Sequence, residues 1–97
     1  MAMSRRPKKK DWIKLRGEVW LRDGKKCIHC HKVVSLRRCH IDHIKPVSRG
    51  GNNRKDNLRT LCRYCHVLRF DNRHRGMIAK ALQDGVIPPN WRELVWE

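Results

Sequence analysis

The stretch HIDHIKPVSRGGNNRKDNLRTLCRYCH, residues 40–66, carries two short extended pieces, a turn-rich loop and the start of a helix. Cys39 to Asp42 alternates. Strand periodicity puts Cys39 and Ile41 on one face and His40 and Asp42 on the other. Asp42 and His43 are neighbours, so a regular strand would aim them at opposite sides, and the strand must end or twist there. Pro46 to Asn53 reads as a loop, marked by Pro46, Ser48, Gly50, Gly51, Asn52 and Asn53. Leu58 to Cys62 reads as a second strand, and a helix is predicted from near Arg63 to about His74.

Working outward, Val33 to Ile44 holds the first extended pieces, and Cys27 to Cys30 forms a tight turn. Upstream, Trp12 to Arg22 has apolar residues at three- to four-residue spacing. It reads as a helix with Asp11 as N-cap and Gly24 as stop. Trp12 and Trp20 are expected to pack in the core. Residues 1–10 hold Arg5, Arg6, Lys8, Lys9 and Lys10 and read as a flexible basic arm. Downstream, a helix is predicted over Met77 to Gln83, ending at Gly85. Pro88 and Pro89 break the tail, and Trp91, Leu94, Val95 and Trp96 form a short amphipathic turn packed back on the body. Residues 11–97 then make one domain, with a core module at about 37–75 and a helical tail at 76–97.

The chain has 97 residues, with 24 Lys plus Arg against 9 Asp plus Glu, a formal charge of +15. Its apolar share, 39%, allows only a small core, and chains of this size usually need a staple. No apolar run approaches the roughly 18 residues of a membrane span. No apolar segment follows the basic N-terminus, which argues against secretion and for a cytoplasmic location. The charge points to nucleic acid as partner. A membrane surface is the weaker alternative, since no basic segment has a clean apolar face.

The staple is legible as Cys27-x-x-Cys30 and Cys62-x-x-Cys65. Two two-pronged bites make a tetrahedron, and zinc accepts four thiolates at about 2.3 Å. Disulfides or a redox pair are the alternatives; neither an oxidising compartment nor a thioredoxin-like βαβ context supports them. His29 and His31 could substitute as ligands. Cys39 reads as a packed core thiol.

A second constellation lies beside the cysteines: Asp42-His43, Asn57 and His66. Singly, each has a bland reading as a surface carboxylate, a satisfied histidine or a turn residue. As a series they suit phosphodiester hydrolysis. A histidine titrating near 6.5 can serve as base at neutral pH, which makes His43 the candidate. Asp42 offers oxygen and His66 nitrogen to a divalent cation. Asn57 can bond backbone on both sides of a long loop.

The ordered motifs His40-Ile41-Asp42-His43-Ile44-Lys45-Pro46, Gly50-Gly51, Asp56-Asn57-Leu58 and Leu61-Cys62-Arg63-Tyr64-Cys65-His66 resemble an HNH endonuclease from about Trp12 to Phe70. The resemblance implies an α+β fold: a zinc-stapled ββα-metal (His-Me finger) module with flanking helices. It implies that Asp42 and His66 hold a catalytic ion (Mg²⁺ or Mn²⁺, with Ni²⁺ or Zn²⁺ as alternatives). It makes His43 the general base and Asn57 the residue holding the loop that orients it. The products would carry 5′-phosphate and 3′-hydroxyl ends. Some members add a third ligand one turn after the matched His, where this chain has Phe70. His40 could be a further ligand or a phosphate contact.

Arg37, Lys45, Arg49, Arg54, Arg63 and Arg69 are expected to contact DNA phosphates, which give salt-sensitive, sequence-independent binding. Arg69 stands where the family often carries Lys. With no separate recognition domain, low sequence specificity and a monomer are expected. Small stand-alone members are often phage-encoded, and some work beside a DNA-packaging terminase. The competing reading is a non-catalytic, zinc-stabilised DNA- or RNA-binding module, which leaves the Asp42, His43, Asn57 and His66 series unexplained.

Overall fold

A computed structural model describes residues 8–69 and 75–97. The basic arm up to residue 7, and Phe70, Asp71, Arg73 and His74, lie outside the described residues. The elements run α1 (Lys9–Arg22), β1 (His40–His43), β2 (Leu58–Leu61), α2 (Arg63–Val67) and α3 (Arg75–Gln83), with 3-10 turns at Val47–Arg49, Lys55–Asn57 and Trp91–Leu94. This is the expected small α+β arrangement: a two-stranded antiparallel sheet, helices and a cysteine cluster. Among the described residues no helix is long and apolar enough to cross a membrane.

β1 and β2 pair as His40 with Leu61, Ile41 with Thr60, Asp42 with Arg59 and His43 with Leu58. Directly paired residues share a face. One face therefore carries His40, Asp42, Arg59 and Leu61, and the other Ile41, His43, Leu58 and Thr60. β2 is buried along its whole length.

α1 is fastened to this sheet at its C-terminal end. Gly24 adopts a left-handed φ of 76°, and its N–H caps the Leu21 carbonyl at 3.0 Å, so the helix stops where the sequence predicts. Arg22 then donates to the carbonyls of Lys55 and Leu58 at 2.7 and 2.6 Å, and an Asp23 oxygen accepts the Thr60 N–H at 2.8 Å. Nearly two turns earlier Arg16 donates to the carbonyls of Leu36 and Cys39, both at 3.0 Å.

Three local expectations differ. α1 starts at Lys9, because the Lys8 carbonyl already accepts the Trp12 N–H. Asp11 sits inside the first turn, where its charge suits the helix dipole. The last residues assigned to the arm, Lys9 and Lys10, are thus helical. α2 ends at Val67: Arg69 leaves the helix to form a parallel bridge with Trp96, whose N–H takes the Leu68 carbonyl at 3.1 Å. Trp12 and Trp20 are half-buried and absent from the core clusters. Trp20 stays at an edge where its indole N–H reaches the Val34 carbonyl at 2.8 Å. Trp91 and Trp96 pack on the core, as the reading of the tail expects.

That core has two parts. Cys27, Leu61, Cys62 and Cys65 form one, with Val34 and Trp96 against it. Val67, Leu68, Ala81 and Ile87 form the other, with Trp91 and Trp96 against it. Trp96 joins them, and it stacks on His29 at 3.7 Å.

Candidate active site and metal centre

The Cys27–Cys30 turn and the N-terminus of α2 bring four thiols together. A bridge between Lys26 and Val33 closes the first turn, which docks on β2 through the Ile28 N–H and the Thr60 carbonyl at 3.0 Å. Cys62 caps α2, its sulfur accepting the Cys65 N–H at 3.4 Å; the Cys27 sulfur accepts the Cys30 N–H at 3.5 Å. The four sulfurs lie within 4.8 Å of one another, and none is in a disulfide. Cys30 Sγ and Cys62 Sγ are 3.8 Å apart. A tetrahedron with zinc–sulfur bonds of ~2.3 Å has an edge of about 3.8 Å, so the four thiols fit such an ion. Burial raises the Cys27 thiol, but backbone N–H groups of Cys30, Cys62 and His29 outweigh it and bring the pKa to about 7. Cys65 is driven strongly upward by burial and by its sulfur neighbours. Four close thiols cannot all ionise without a cation among them. Cys39, also buried, is separate from this cluster; its thiol donates to the Leu36 carbonyl at 3.3 Å.

The second centre straddles the end of β1. Asp42 is 4% exposed, and Arg59 Nε donates to its Oδ2 at 2.8 Å. Arg69 Nη1 donates to Oδ1 at 2.9 Å, and His66 Nε2 lies 3.5 Å from the same oxygen. Burial pushes the Asp42 carboxyl up. Hydrogen bonding with His66 and Arg59 and the charges of Arg69 and Arg59 override it, holding the group below the usual carboxylate range. The Asp42 oxygen and His66 nitrogen are close enough to grip one cation between them. Among the described residues only the cysteines form a group of three or more such donors, so this pair would leave other coordination positions to water.

His40 Nδ1 and His66 Nδ1 are 2.8 Å apart. One proton lies between them. If His66 turns its Nε2 lone pair to a cation, that proton belongs to His66 and His40 accepts it. Burial first, then the charges of His66, Arg63 and Arg16, pushes His40 down to about 4, which keeps it neutral and able to accept. His40 therefore faces His66 and not the Asp42 oxygen.

His43 points to the other face of the strand. Its ring is parallel to that of Trp12, with centroids 6.1 Å apart, and its Nε2 is 2.8 Å from Asn53 Oδ1. An amide oxygen only accepts, so Nε2 carries the hydrogen and Nδ1 is left with the lone pair. The strand end thus keeps Asp42 and His43 on opposite sides, as alternation requires. Arg69 spans both, donating also to the carbonyls of His43 (2.7 Å) and Ile44.

The loop carrying Asn53 is tied by Asn57. Its Oδ1 accepts the Lys45 N–H at 2.8 Å, and its Nδ2 donates to the carbonyls of Lys45 and Asn52 at 3.1 and 2.8 Å. Gly51 sits where a Cβ would fall 1.8 Å from the Lys45 carbonyl oxygen, so the close approach admits only glycine.

Of the expected DNA contacts, Arg37, Lys45, Arg49 and Arg54 are exposed. Arg63 is half-buried and paired with Asp84 at 2.9 Å. The Arg69 side chain is only 10% exposed, with its nitrogens taken by Asp42, the His43 and Ile44 carbonyls and Glu97. It is a bracket inside the site and offers no open face to a phosphate. Sequence reasoning missed Asn53 and Glu97 in this centre, and did not assign Arg59 as the partner of Asp42. Asn53 registered only as a loop marker. Glu97 had one signal: acids are so few here that each is a candidate counter-ion.

The sequence profile of HNH endonuclease matches residues 27–70. No curated protein and no solved structure matches the chain. The matched span opens on the first metal-holding cysteine pair, includes both strands and α2, and contains Asp42, His43, Asn57 and His66. Residues 27–70 thus carry an HNH endonuclease domain, with four cysteines placed to hold a metal.

Proposed function

We propose that the protein is a metal-dependent endonuclease that hydrolyses DNA phosphodiester bonds, with His43 as general base. The observation that carries this reading is the fixed tautomer of His43. Asn53 holds the Nε2 hydrogen, so Nδ1 is presented as a proton acceptor, one residue from the Asp42–His66 pair. Asp42 and His66 would hold a divalent cation, Mg²⁺ or Mn²⁺ in the first instance. Such an ion supplies charge neutralisation at the phosphate and the leaving oxygen. His43 takes a proton from the attacking water. In-line displacement needs attack and departure on opposite sides of phosphorus. A base and a cation-holding pair on opposite sides of one strand end suit that demand.

Asn57 acts on the base through the loop it ties. The four cysteines hold a structural zinc. Exposed Arg37, Lys45, Arg49 and Arg54 supply phosphate contacts without base readout, so specificity is low or comes from a partner.

The test is conversion of supercoiled plasmid by wild type and His43→Ala, with EDTA, Mg²⁺ or Mn²⁺ in parallel. Metal-dependent nicking by wild type alone supports the reading. Salt-sensitive binding without cleavage by either protein would favour a zinc-stabilised DNA- or RNA-binding module. One observation leans toward that second reading: both Asp42 oxygens already accept from guanidinium groups.

A further inference from the structure

Asp42, Arg59, Glu97 and Arg69 close a ring of alternating charge. Arg59 joins Asp42 to Glu97: its Nε donates to Asp42, while Nη1 and Nη2 donate to Glu97 Oε2 and Oε1 at 3.0 and 2.6 Å. Arg69 closes the circle, with Nε on Glu97 Oε1 at 3.0 Å and Nη1 on Asp42 at 2.9 Å. Two guanidiniums alone would leave Asp42 in a net positive setting that repels a second cation. Glu97 brings the ring to neutrality.

Glu97 is held by more than its charge. The preceding Trp96 donates its indole N–H to the Cys65 carbonyl at 2.7 Å, and its backbone N–H takes the Leu68 carbonyl. The Arg59 guanidinium lies over the Trp96 ring at 5.1 Å. An exposed ion pair contributes little to a fold. Here the arginine side chains are only 9% and 10% exposed, so their unpaired nitrogens would have few waters to turn to.

We propose that Glu97 is a positioning residue for the divalent-cation site: by neutralising Arg59 and Arg69 it keeps the Asp42 carboxylate available to a cation while Arg69 brackets the β1 end. This rests on the reading of Asp42 and His66 as the cation-holding pair. Arg69 and Glu97 then act on cation affinity with opposite sign. Removing the acid weakens binding, removing the base strengthens it, and removing both restores it. A purely structural role has no such signature, since each loss would harm the site.

The experiment is a Mn²⁺ titration of the zinc-loaded protein followed by electron paramagnetic resonance of free Mn²⁺. Zinc content and thermal melting are recorded for each variant. Wild type should bind one Mn²⁺ that Asp42→Asn loses. Glu97→Gln should bind about tenfold more weakly, the size of effect outer-shell partners usually have. Arg69→Gln should bind more tightly than wild type, and Glu97→Gln with Arg69→Gln should return to within about threefold of it. If Glu97→Gln alone does not fold, weaker binding by the double variant than by Arg69→Gln still carries the test. Equal affinity in wild type and Glu97→Gln, or weaker binding in Arg69→Gln, overturns the role of Glu97 while leaving the cation site intact. Equal binding by wild type and Asp42→Asn overturns the cation site itself, and the role of Glu97 with it.

Discussion

Asn53 accepts the Nε2 hydrogen of His43 at 2.8 Å, which fixes the imidazole in one tautomer. A loop residue ten positions downstream thereby decides which nitrogen can take a proton.

Replacing His43 with Ala should abolish cleavage, a loss of about 10²- to 10⁴-fold for a general base. Folding and thiol-bound metal should survive, because His43 belongs to neither core cluster. Asn53→Ala should cost about tenfold to hundredfold in rate, less than loss of the base itself. Single-turnover plasmid nicking reads both. A wild-type rate in Asn53→Ala would show that the tautomer is fixed by something else.

Asn57→Ala removes three hydrogen bonds from a loop anchor. At about 1 kcal/mol each, less for those open to water, the loss is on the order of 2 kcal/mol. Asn57→Asp keeps the acceptor for the Lys45 N–H and loses both donations, so it should fall between wild type and Ala. Urea denaturation gives the order of stabilities. Cleavage should fall in the same order, because the loop that Asn57 ties carries Asn53.

Cys62→Ser removes one thiol from the cluster while keeping a hydroxyl that can cap α2, so it isolates the metal. Metal binding by four thiolates is worth on the order of 10 kcal/mol of folding free energy. The variant should lose its metal and its cooperative melting transition. A strong thiol-competing chelator should do the same to wild type. A metal-free Cys62→Ser protein that melts cooperatively at the wild-type temperature would show that the core suffices alone.

His40 gives a pH signature. Its folded form is neutral down to about 4, against an ordinary 6.5. Between those values the unfolded chain binds a proton that the folded one refuses, so stability falls as pH drops from 6.5 toward 4. At ~1.4 kcal/mol per unit the loss is at most on the order of 3 kcal/mol, and smaller because water reaches the half-buried ring. His40→Asn removes the titration. The wild type should therefore lose stability relative to this variant across that window, read by denaturation at fixed metal. A difference independent of pH would mean that His40 takes no part.

Much of the frame was legible because its signals are local. The paired cysteines, the Gly24 and Gly85 stops and the alternation of His40, Ile41, Asp42 and His43 each lie within a few residues. The helix after Cys62 was read too long because Arg69 is drawn out of it by Trp96, 27 residues away. The same distance hid Arg69, which sequence position marked as a phosphate contact. Nothing near it in the chain shows that Asp42 and Glu97 converge on its nitrogens. The tryptophans divide in the same way. Helical spacing favoured Trp12 and Trp20 for the core, which they do not reach, whereas the tail's Trp91 and Trp96 pack back on the body as their amphipathic turn suggests.

β1 and β2 contribute four residues each. On so short a ladder, a slip by one residue would turn Asp42 toward Trp12 and His43 toward Arg59, exchanging the two halves of the chemistry. The pins against that slip lie beyond the strands. Arg16 grips the Cys39 carbonyl at one end, and the Ile44 N–H meets the Asn57 carbonyl at the other. An insertion or deletion inside β1, between Cys39 and Asp42, would set these pins against each other and act as a frame error, disarming the site with every functional side chain still in the chain.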